Sequence, residues 1–428
     1  MSKIPTSLFS RGTKLLGVAS KVAFEEVTSR ISLWEDERDK LKSKVTLARD
    51  VVKTLSELKG ASMKVGQLIS LDLGDYLPPE IVKILEQLHQ KSTFLPYFEV
   101  EALLKKELGE RFGDFKNISE VPIAAASIGQ VHTAYLEEKK VILKVQYPGV
   151  AESIPSDLKI LELILKKLIF LQRKTQINVS PFIDEIRHVL TKEADYLNEQ
   201  DMQIKYKSKF SGKEFIIPEV YSPYSTSKVI TQEFIEGISI TQWLELHPEI
   251  EVKKKMAHLL MKLYLDEIFI HKIVQTDPNP GNFLINSRDQ MALIDFGAVK
   301  EYDDSFVEGY KKVLIFAYHR DRENILRVSY DLEFIDPRES EEVKEIYLRM
   351  MDYLVDPFRQ EEPFDFADKI FFNKSRDLSW EMSLKCKYSP PPRNLLFLHR
   401  KLAGVFTFIK KLDVKIRLKD YWGYVEDA

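Results

Sequence analysis

Apolar and polar residues alternate in the middle of the chain, most clearly in the segment from Val141 to Gln146. Because successive side chains of a strand point to opposite faces, this pattern predicts a β-strand whose apolar face packs on a core. Lys144 then lies on the opposite face and is available to a cleft. A lysine on an edge strand, where it discourages aggregation, would show the same pattern.

Two short apolar runs, Phe283–Ile285 and Met291–Ile294, flank the polar stretch 286–289. Such a pattern predicts two strands joined by a turn. The preceding residues, 275–282, contain proline and glycine, which favour a loop over regular hydrogen bonding. The sequence therefore predicts a loop followed by a hairpin, with polar side chains at the ends of its strands.

Helical spacing of apolar residues predicts helices over much of residues 1–115, over 155–172 and 180–209, from 243 to 272, and from Ser305 onward. Strands are expected mainly between 115 and 235 and in the hairpin. We therefore predict an α+β protein with three parts. These are an N-terminal helical extension at 1–115, a smaller mixed lobe at 116–236 and a mainly helical lobe at 237–428.

The loop and hairpin carry an ordered set of polar groups. Asp277 is followed five positions later by Asn282 and eighteen positions later by Asp295, which opens an Asp-Phe-Gly triplet. A kinase-type site needs a carboxylate in its catalytic loop, an amide oxygen for Mg²⁺ and a second carboxylate between metal and phosphates. Each part alone is a common turn or a chance match, so the prediction depends on the ordered set.

A phosphate-binding lysine needs a carboxylate partner, and Lys144 has three possible ones in the predicted helix 180–209. They are Glu193, Asp195 and Glu199. On one continuous helix Asp195 and Glu199 share a face, whereas Glu193 and Glu199 are about 600° apart, hence about 120° around the axis. A solvated acidic surface is the alternative interpretation.

Two further segments are predicted to contact a nucleotide. The first consists of small residues upstream of Lys144, whose backbone N–H groups can approach an anion: Ala124, Ala125, Ala126 and Ser127. The second is the end of a predicted strand at 229–235, at the position where a kinase hinge contacts adenine; its residues are Glu233, Phe234 and Ile235. Only its position in the chain distinguishes this hinge from an ordinary strand exit.

These motifs together resemble the UbiB family of atypical kinase-like proteins over roughly residues 50 to 410. The residues that carry the resemblance are Lys64-Val65-Gly66-Gln67, like the family's KxGQ signature; the alanine-rich segment; Glu193-Ala194-Asp195, like its ExD motif; Lys144; the loop 275–282; and Asp295-Phe296-Gly297. The resemblance implies a bilobal, protein-kinase-like fold. It further implies that the KxGQ residues Lys64 and Gln67 regulate the cleft, with Lys64 paired to Glu193 and Lys144 to Glu199.

The chemistry expected from these residues is phosphoryl transfer from ATP, or its hydrolysis. Asn282 and Asp295 would bind Mg²⁺, Lys144 would contact phosphates, and Asp277 would position or deprotonate an acceptor. The resemblance implies a role in isoprenoid quinone synthesis. A non-enzymatic, nucleotide-responsive scaffold that binds lipid or biosynthetic partners is one alternative. A protein kinase is another, although only residues 298–304 separate the Asp-Phe-Gly triplet from the next predicted helix.

The composition of the chain limits which partners and attachments we expect. Lys and Arg number 63 against 66 Asp and Glu, and no basic tract indicates nucleic acid. A single cysteine, Cys386, excludes an intramolecular disulfide. No run approaches the ~18 apolar residues of a membrane span. A basic amphipathic pattern at residues 8–22 is compatible with peripheral attachment, and packing of this helix inside the protein is the alternative interpretation. We expect a cytoplasmic protein, at most peripheral at the inner membrane surface.

Overall fold

A computed structural model describes residues 94–126, 128–171, 180–210, 215–277, 279–389 and 392–426. The contacts within the chain divide it into two compact units. The first contains the described residues up to Asp201 together with Glu219–Phe234. The second contains Met202–Pro218 and the described residues from Ile235 onward.

The first unit is built on a five-stranded antiparallel sheet. Its strands are β1 (Phe115–Lys116), β2 (Ala124–Ala126), β3 (Gly129–Leu136), β4 (Lys139–Gln146) and β6 (Val229–Glu233). The helices that belong to it are α1 (Tyr97–Leu108), α2 (Val150–Leu171), α3 (Ser180–Glu193) and the start of α4 (Tyr196–Lys209). Helix α1 begins close to where the described residues begin, in the predicted helical extension.

Strand β4 has the predicted alternation. Val141, Leu143 and Val145 are fully buried in the core of this unit. The strand is not at an edge, because β3 pairs with one side of it and β6 with the other. A lysine that merely discourages edge aggregation is therefore the wrong interpretation of Lys144.

The predicted continuous helix 180–209 is wrong, because it is interrupted at Ala194 and Asp195. The side chain of Asp195 accepts a hydrogen bond from the backbone N–H of Asn198, at 3.0 Å. An aspartate in this position caps the start of a new helix by satisfying one of its unpaired N–H groups. The angular relation expected between Glu193 and Glu199 on one helix consequently does not apply.

The second unit contains a four-stranded sheet in the order β5 (Phe215–Ile216), β10 (Met291–Leu293), β9 (Phe283–Ile285) and β7 (Ile238–Ser239). The hairpin of β9 and β10 confirms the prediction at 283–294. Two smaller sheets pair β8 (Ile273–Gln275) with β11 (Val299–Glu301) and β12 (Phe364–Asp365) with β13 (Lys415–Ile416).

The helices entirely within the second unit surround a large apolar core. Their bounds are α5 (Ile240–Glu245), α6 (Ile250–Leu265), α7 (Asp304–Tyr318), α8 (Arg322–Asp331), α9 (Glu341–Val355), α10 (Lys369–Lys385), α11 (Arg393–Leu412) and α12 (Gly423–Glu426). Among the helices in the described ranges, none combines the length and apolarity needed to cross a membrane.

The single helix predicted from 243 to 272 is wrong, because it is interrupted near its start. Residues 246–249 separate α5 from α6, because Pro248 disfavours helical geometry in the residue before it, and His247 adopts a φ of 52°. Beyond α6 the chain forms a π-helical turn, Asp266–Ile270, and then enters β8. Helix α7 begins at Asp304 and not at Ser305, because Asp303 accepts a hydrogen bond from the N–H of Phe306 and caps it.

Candidate functional site

The first group of predicted site residues meets around Lys144 in the first unit. The Nζ atom of Lys144 lies 2.6 Å from Oε1 of Glu199 and 5.4 Å from the centre of the Tyr196 ring. The side chains of Lys144 and Glu199 are 12% and 3% exposed. A nearly buried ion pair of this length holds the lysine ammonium group in one place.

Glu199 is placed by the interruption between α3 and α4. It lies in the first turn of α4, and its backbone N–H donates to the carbonyl of Asp195. The turn itself is held by Gln146 of β4, whose Nε2 donates to the carbonyl of Ala194 at 2.9 Å. Gln146 lies two positions after Lys144, on the same face of β4, and thus fixes the turn that precedes Glu199.

The two remaining acidic residues of this region behave differently from Glu199. Glu193 is buried at the end of α3. Asp195 is exposed and caps α4. Their predicted regulatory role, like the pairing of Glu193 with Lys64, depends on residues outside the described part of the chain, because Lys64 and Gln67 lie there. These assignments stay predictions.

The alanine-rich segment forms strand β2, in which Ala124, Ala125 and Ala126 pair with β3. Ser127 lies outside the described residues. Gly129 opens β3, and a side-chain Cβ at this position would lie 2.3 Å from the carbonyl oxygen of Val145 and 3.0 Å from the hydroxyl of Tyr196. Only glycine therefore allows β3 to approach β4 at the residue adjacent to Lys144.

The predicted hinge residues are at and just beyond the end of β6. The N–H of Glu233 donates to the carbonyl of Glu219, and the N–H of Phe234 donates to the carbonyl of Lys140. Both N–H groups are therefore engaged within the first unit in this structure. Ile235 belongs to the second unit, and a contact of these three residues with adenine stays a prediction.

The second group of predicted site residues lies in the second unit, around the loop before β9. The Nδ2 of Asn282 donates to Oδ2 of Asp277 at 3.1 Å, and the N–H of Asn279 donates to its Oδ1 at 3.3 Å. Because the amide nitrogen of Asn282 faces Asp277, its amide oxygen is directed away from that carboxylate. Proline and asparagine residues hold this loop in a short 3₁₀ turn at Pro280–Asn282.

Asp295 follows β10 and is brought to Asn282 by the hairpin. Phe283 pairs with Leu293 in the two strands, and the N–H of Ile294 donates to the carbonyl of Asn282 at 3.0 Å. The Oδ1 of Asp295 accepts a hydrogen bond from the N–H of Gly297 at 3.1 Å. The hairpin thus places the backbone before Asp295 beside that of Asn282, and joint metal binding by the two side chains stays a prediction.

The side chains of Asn282 and Asp295 are of the types that bind Mg²⁺ together with a nucleotide. Within the described ranges, no three histidine, cysteine or acidic side chains are grouped closely enough to hold a metal ion. Mg²⁺ in kinase-type sites needs fewer protein ligands, because phosphate oxygens and water complete its shell. One amide oxygen from Asn282 and one carboxylate from Asp295 form such a donor set.

Sequence reasoning missed a buried carboxylate beside this loop. Glu267 is fully buried in the π-helical turn and accepts a hydrogen bond from the backbone N–H of Gln275 at 2.9 Å. It also forms an ion pair with Lys401 of α11. The available signal was an acidic pair, Asp266 and Glu267, between the apolar runs 263–265 and 268–270. The partner of Glu267 is 134 positions away, so no local pattern indicates it.

Comparisons with known proteins identify the family of this chain. The ABC1 atypical kinase-like domain family matches residues 87–329, more than half of the chain. The chain is 32% identical to the mitochondrial atypical kinase COQ8B of Danio rerio over 89% of this chain and 61% of the relative. It is also 32% identical to the mitochondrial atypical kinase COQ8 of Saccharomyces cerevisiae, over 97% of this chain and 84% of the relative. This chain thus spans less than two thirds of the length of the Danio rerio relative.

A solved structure is also similar: Rv3197 from Mycobacterium tuberculosis, determined in complex with erythromycin, superimposes with a TM-score of 0.59 at 25% identity. The match covers 93% of this chain and 97% of that one. The fold and site therefore define an atypical kinase-like protein. The chain belongs to the ABC1 family, also called UbiB, which includes the COQ8 atypical kinases. The predicted kinase-like α+β fold and the family resemblance are confirmed.

The ion pair of Lys144 and Glu199 is expected to be strongly coupled. The test is a double-mutant cycle of Lys144→Met and Glu199→Gln, measured by urea denaturation. We expect a coupling free energy of about 2 kcal/mol or more, because removing one partner leaves the other charge desolvated. The exposed pair of Lys205 and Glu301, at 2.8 Å, is the matched control and should give below ~1 kcal/mol. Equal coupling in the two cycles would contradict the expectation.

Proposed function

We propose that this chain binds ATP or ADP with Mg²⁺ and catalyses ATP hydrolysis or phosphoryl transfer to a small molecule, in support of isoprenoid quinone synthesis. The observation that carries the proposal is the arrangement around the hairpin of β9 and β10. There Asn282 contacts Asp277, and Asp295 lies at the adjoining strand end. Family membership supports the same chemistry.

Each group of residues has a role in this proposal. Asn282 and Asp295 hold Mg²⁺, which neutralises phosphate charge when bound. Lys144 contacts the phosphates, and Glu199 orients it through their 2.6 Å contact. Asp277 accepts a proton from the attacking hydroxyl or orients it.

The short connection after the Asp-Phe-Gly triplet favours a small acceptor over a peptide. Strand β11 begins at Val299, and helix α7 begins at Asp304. This connection has no long segment on which a peptide could lie, so protein kinase activity is the less favoured alternative. Two relatives are named atypical kinases COQ8, which supports a quinone precursor or a lipid as the partner of this chain.

The same partner chemistry supports a location at a membrane surface. A quinone precursor with an isoprenoid tail partitions into lipid, so we propose that the protein works peripherally at a membrane. Relatives carry the word mitochondrial in their names, and for this chain the inner membrane surface is our proposal. The amphipathic pattern at residues 8–22, which lies outside the described residues, is the segment expected to make the contact.

The test replaces Asp277 by Asn. Phosphate release from Mg²⁺–ATP, with and without vesicles containing phenolic quinone precursors, is expected to fall about 10²- to 10⁴-fold because the proton acceptor is lost. Nucleotide affinity should change little. Asp304→Asn is the matched control, since that side chain is 84% exposed and pairs with Lys272; it should retain wild-type turnover.

A complementation experiment separates this proposal from a scaffold. In cells without a working copy of this protein, wild type should restore quinone content and Asp277→Asn should not. Full restoration by Asp277→Asn protein that still binds nucleotide would favour a nucleotide-responsive scaffold. Failure of wild type to bind nucleotide in the presence of Mg²⁺ would overturn the proposal as a whole.

A further inference from the structure

A buried ion pair in the second unit touches the loop that carries Asp277. Glu267 is 0% exposed, and its partner Lys401 is 2% exposed. The Nζ of Lys401 lies 3.1 Å from Oε2 of Glu267 and 3.3 Å from Oε1. The same carboxylate accepts hydrogen bonds from the hydroxyl of Tyr206 at 2.8 Å and from the backbone N–H of Gln275 at 2.9 Å.

These contacts reach both segments of the second unit that carry predicted site residues. Gln275 precedes Asp277 by two positions, and Thr276 between them donates to the carbonyl of Ala298 through both its N–H and its hydroxyl. The ring of Tyr206 lies 5.3 Å from the ring of Phe296 in the Asp-Phe-Gly triplet. One carboxylate therefore contacts the strand that leads into the catalytic loop and, through one tyrosine, the triplet.

The arrangement is better explained by orientation than by stability. Removing two charges from water is unfavourable enough that apolar residues of similar volume stabilise a core as well as a buried ion pair does. Burial raises the pKa of Glu267, and the nearby charge of Lys401 and the N–H of Gln275 oppose that rise. A π-helical turn, such as the one that presents Glu267, is also a feature found frequently at functional sites.

We propose that Glu267, with Lys401 as its counter-charge, is a positioning residue that holds the backbone of Gln275 and thereby sets the place of Asp277. The inference deepens the proposed function and rests on it, because the group being positioned is the proposed proton acceptor. Glu267 acts through the loop and does not itself touch a substrate.

Two charge-free double variants isolate the backbone contact. Glu267→Gln/Lys401→Met retains an oxygen that can accept from the N–H of Gln275, whereas Glu267→Leu/Lys401→Met does not. Methionine is suited to position 401 because the Lys401 side chain lies along an apolar wall with Leu260, Leu263 and Phe283. Neither variant leaves a charge buried without its partner, so both are expected to fold.

Two measurements are made on each variant of the full chain. Hydrogen exchange of the backbone at 273–282, without nucleotide, should be at least about 10-fold faster in the leucine variant than in the glutamine variant, because one hydrogen bond of the loop is missing. The turnover number with Mg²⁺–ATP should be about 10- to 100-fold lower in the leucine variant, with KM within about threefold, because misplacement affects the reacting geometry more than binding.

Tyr206→Phe provides an independent variant that keeps the ring and alters no charge. It removes one donor to Glu267 and should lower the turnover number about threefold with the folded state retained. Equal exchange and equal turnover in the two double variants, together with an unaffected Tyr206→Phe, would overturn the inference. If wild type shows no magnesium-dependent nucleotide binding, the proposed function and the catalytic part of this inference are both overturned. The exchange measurement still decides whether Glu267 holds the backbone of Gln275.

Discussion

Replacing Asp295 by Asn is expected to lower the affinity for Mg²⁺–nucleotide at least about 100-fold, or ~2.7 kcal/mol. The variant loses the charge that a divalent cation requires from its carboxylate ligand. It keeps an oxygen that can accept from the N–H of Gly297, as Oδ1 of Asp295 does at 3.1 Å. The turn of the Asp-Phe-Gly triplet should therefore persist, and the effect should be confined to metal-dependent binding.

Calorimetric titration with and without Mg²⁺ measures this difference directly. With the metal chelated, wild type and Asp295→Asn should bind nucleotide with the same residual affinity. Asp303→Asn is the matched control, because Asp303 caps helix α7 through the N–H of Phe306 at 2.8 Å and asparagine caps helices equally well. If Asp295→Asn still binds nucleotide in a magnesium-dependent way, the assignment of Asp295 as a metal ligand is wrong.

Replacing Gly129 by Ala is expected to destabilise the first unit by about 3 kcal/mol or more. The added Cβ would lie 2.3 Å from the carbonyl oxygen of Val145, which is backbone and cannot rotate away. Strand β3 would have to separate from β4 at the residue beside Lys144. The same change should also loosen the contact of Lys144 with Glu199.

Urea denaturation gives the free energy, and hydrogen exchange across 129–146 locates the loss. Gly113→Ala is the matched control, because a Cβ at Gly113 meets no atom within 4 Å; it should change stability by less than ~0.5 kcal/mol. If Gly129→Ala unfolds at the same urea concentration as this control, the steric argument fails.

The parts of the fold that depend on neighbouring residues were predictable. The alternation at 141–146 predicts which side of β4 is buried, and the structure agrees, because a strand with one face on a core needs that pattern. The hairpin at 283–293 follows from two apolar runs and a polar turn. It also brings Asn282 and Asp295 together, because adjacent antiparallel strands place the start of one beside the end of the other.

The prediction of one continuous helix over 180–209 failed because the signals that end a helix are weaker than those that form one. Apolar spacing continues through Ala194 and Asp195, so a single helix was expected. In the structure Asp195 caps a new helix, and Gln146 from a distant strand holds the turn. The pairing of Lys144 with Glu199 was expected from the family resemblance alone, and this turn is what realises it.

The sequence by itself determined the identity and order of the residues proposed for phosphate and metal chemistry, and the elements that carry them. These are encoded in patterns a few residues long, which local sterics and solvation enforce. Only the tertiary structure decided the contacts made across long separations, such as Lys144 with Glu199, Gly129 against Val145, and Glu267 with Lys401. A buried charge acquires its partner from whichever elements the core brings together, and no local pattern specifies that choice.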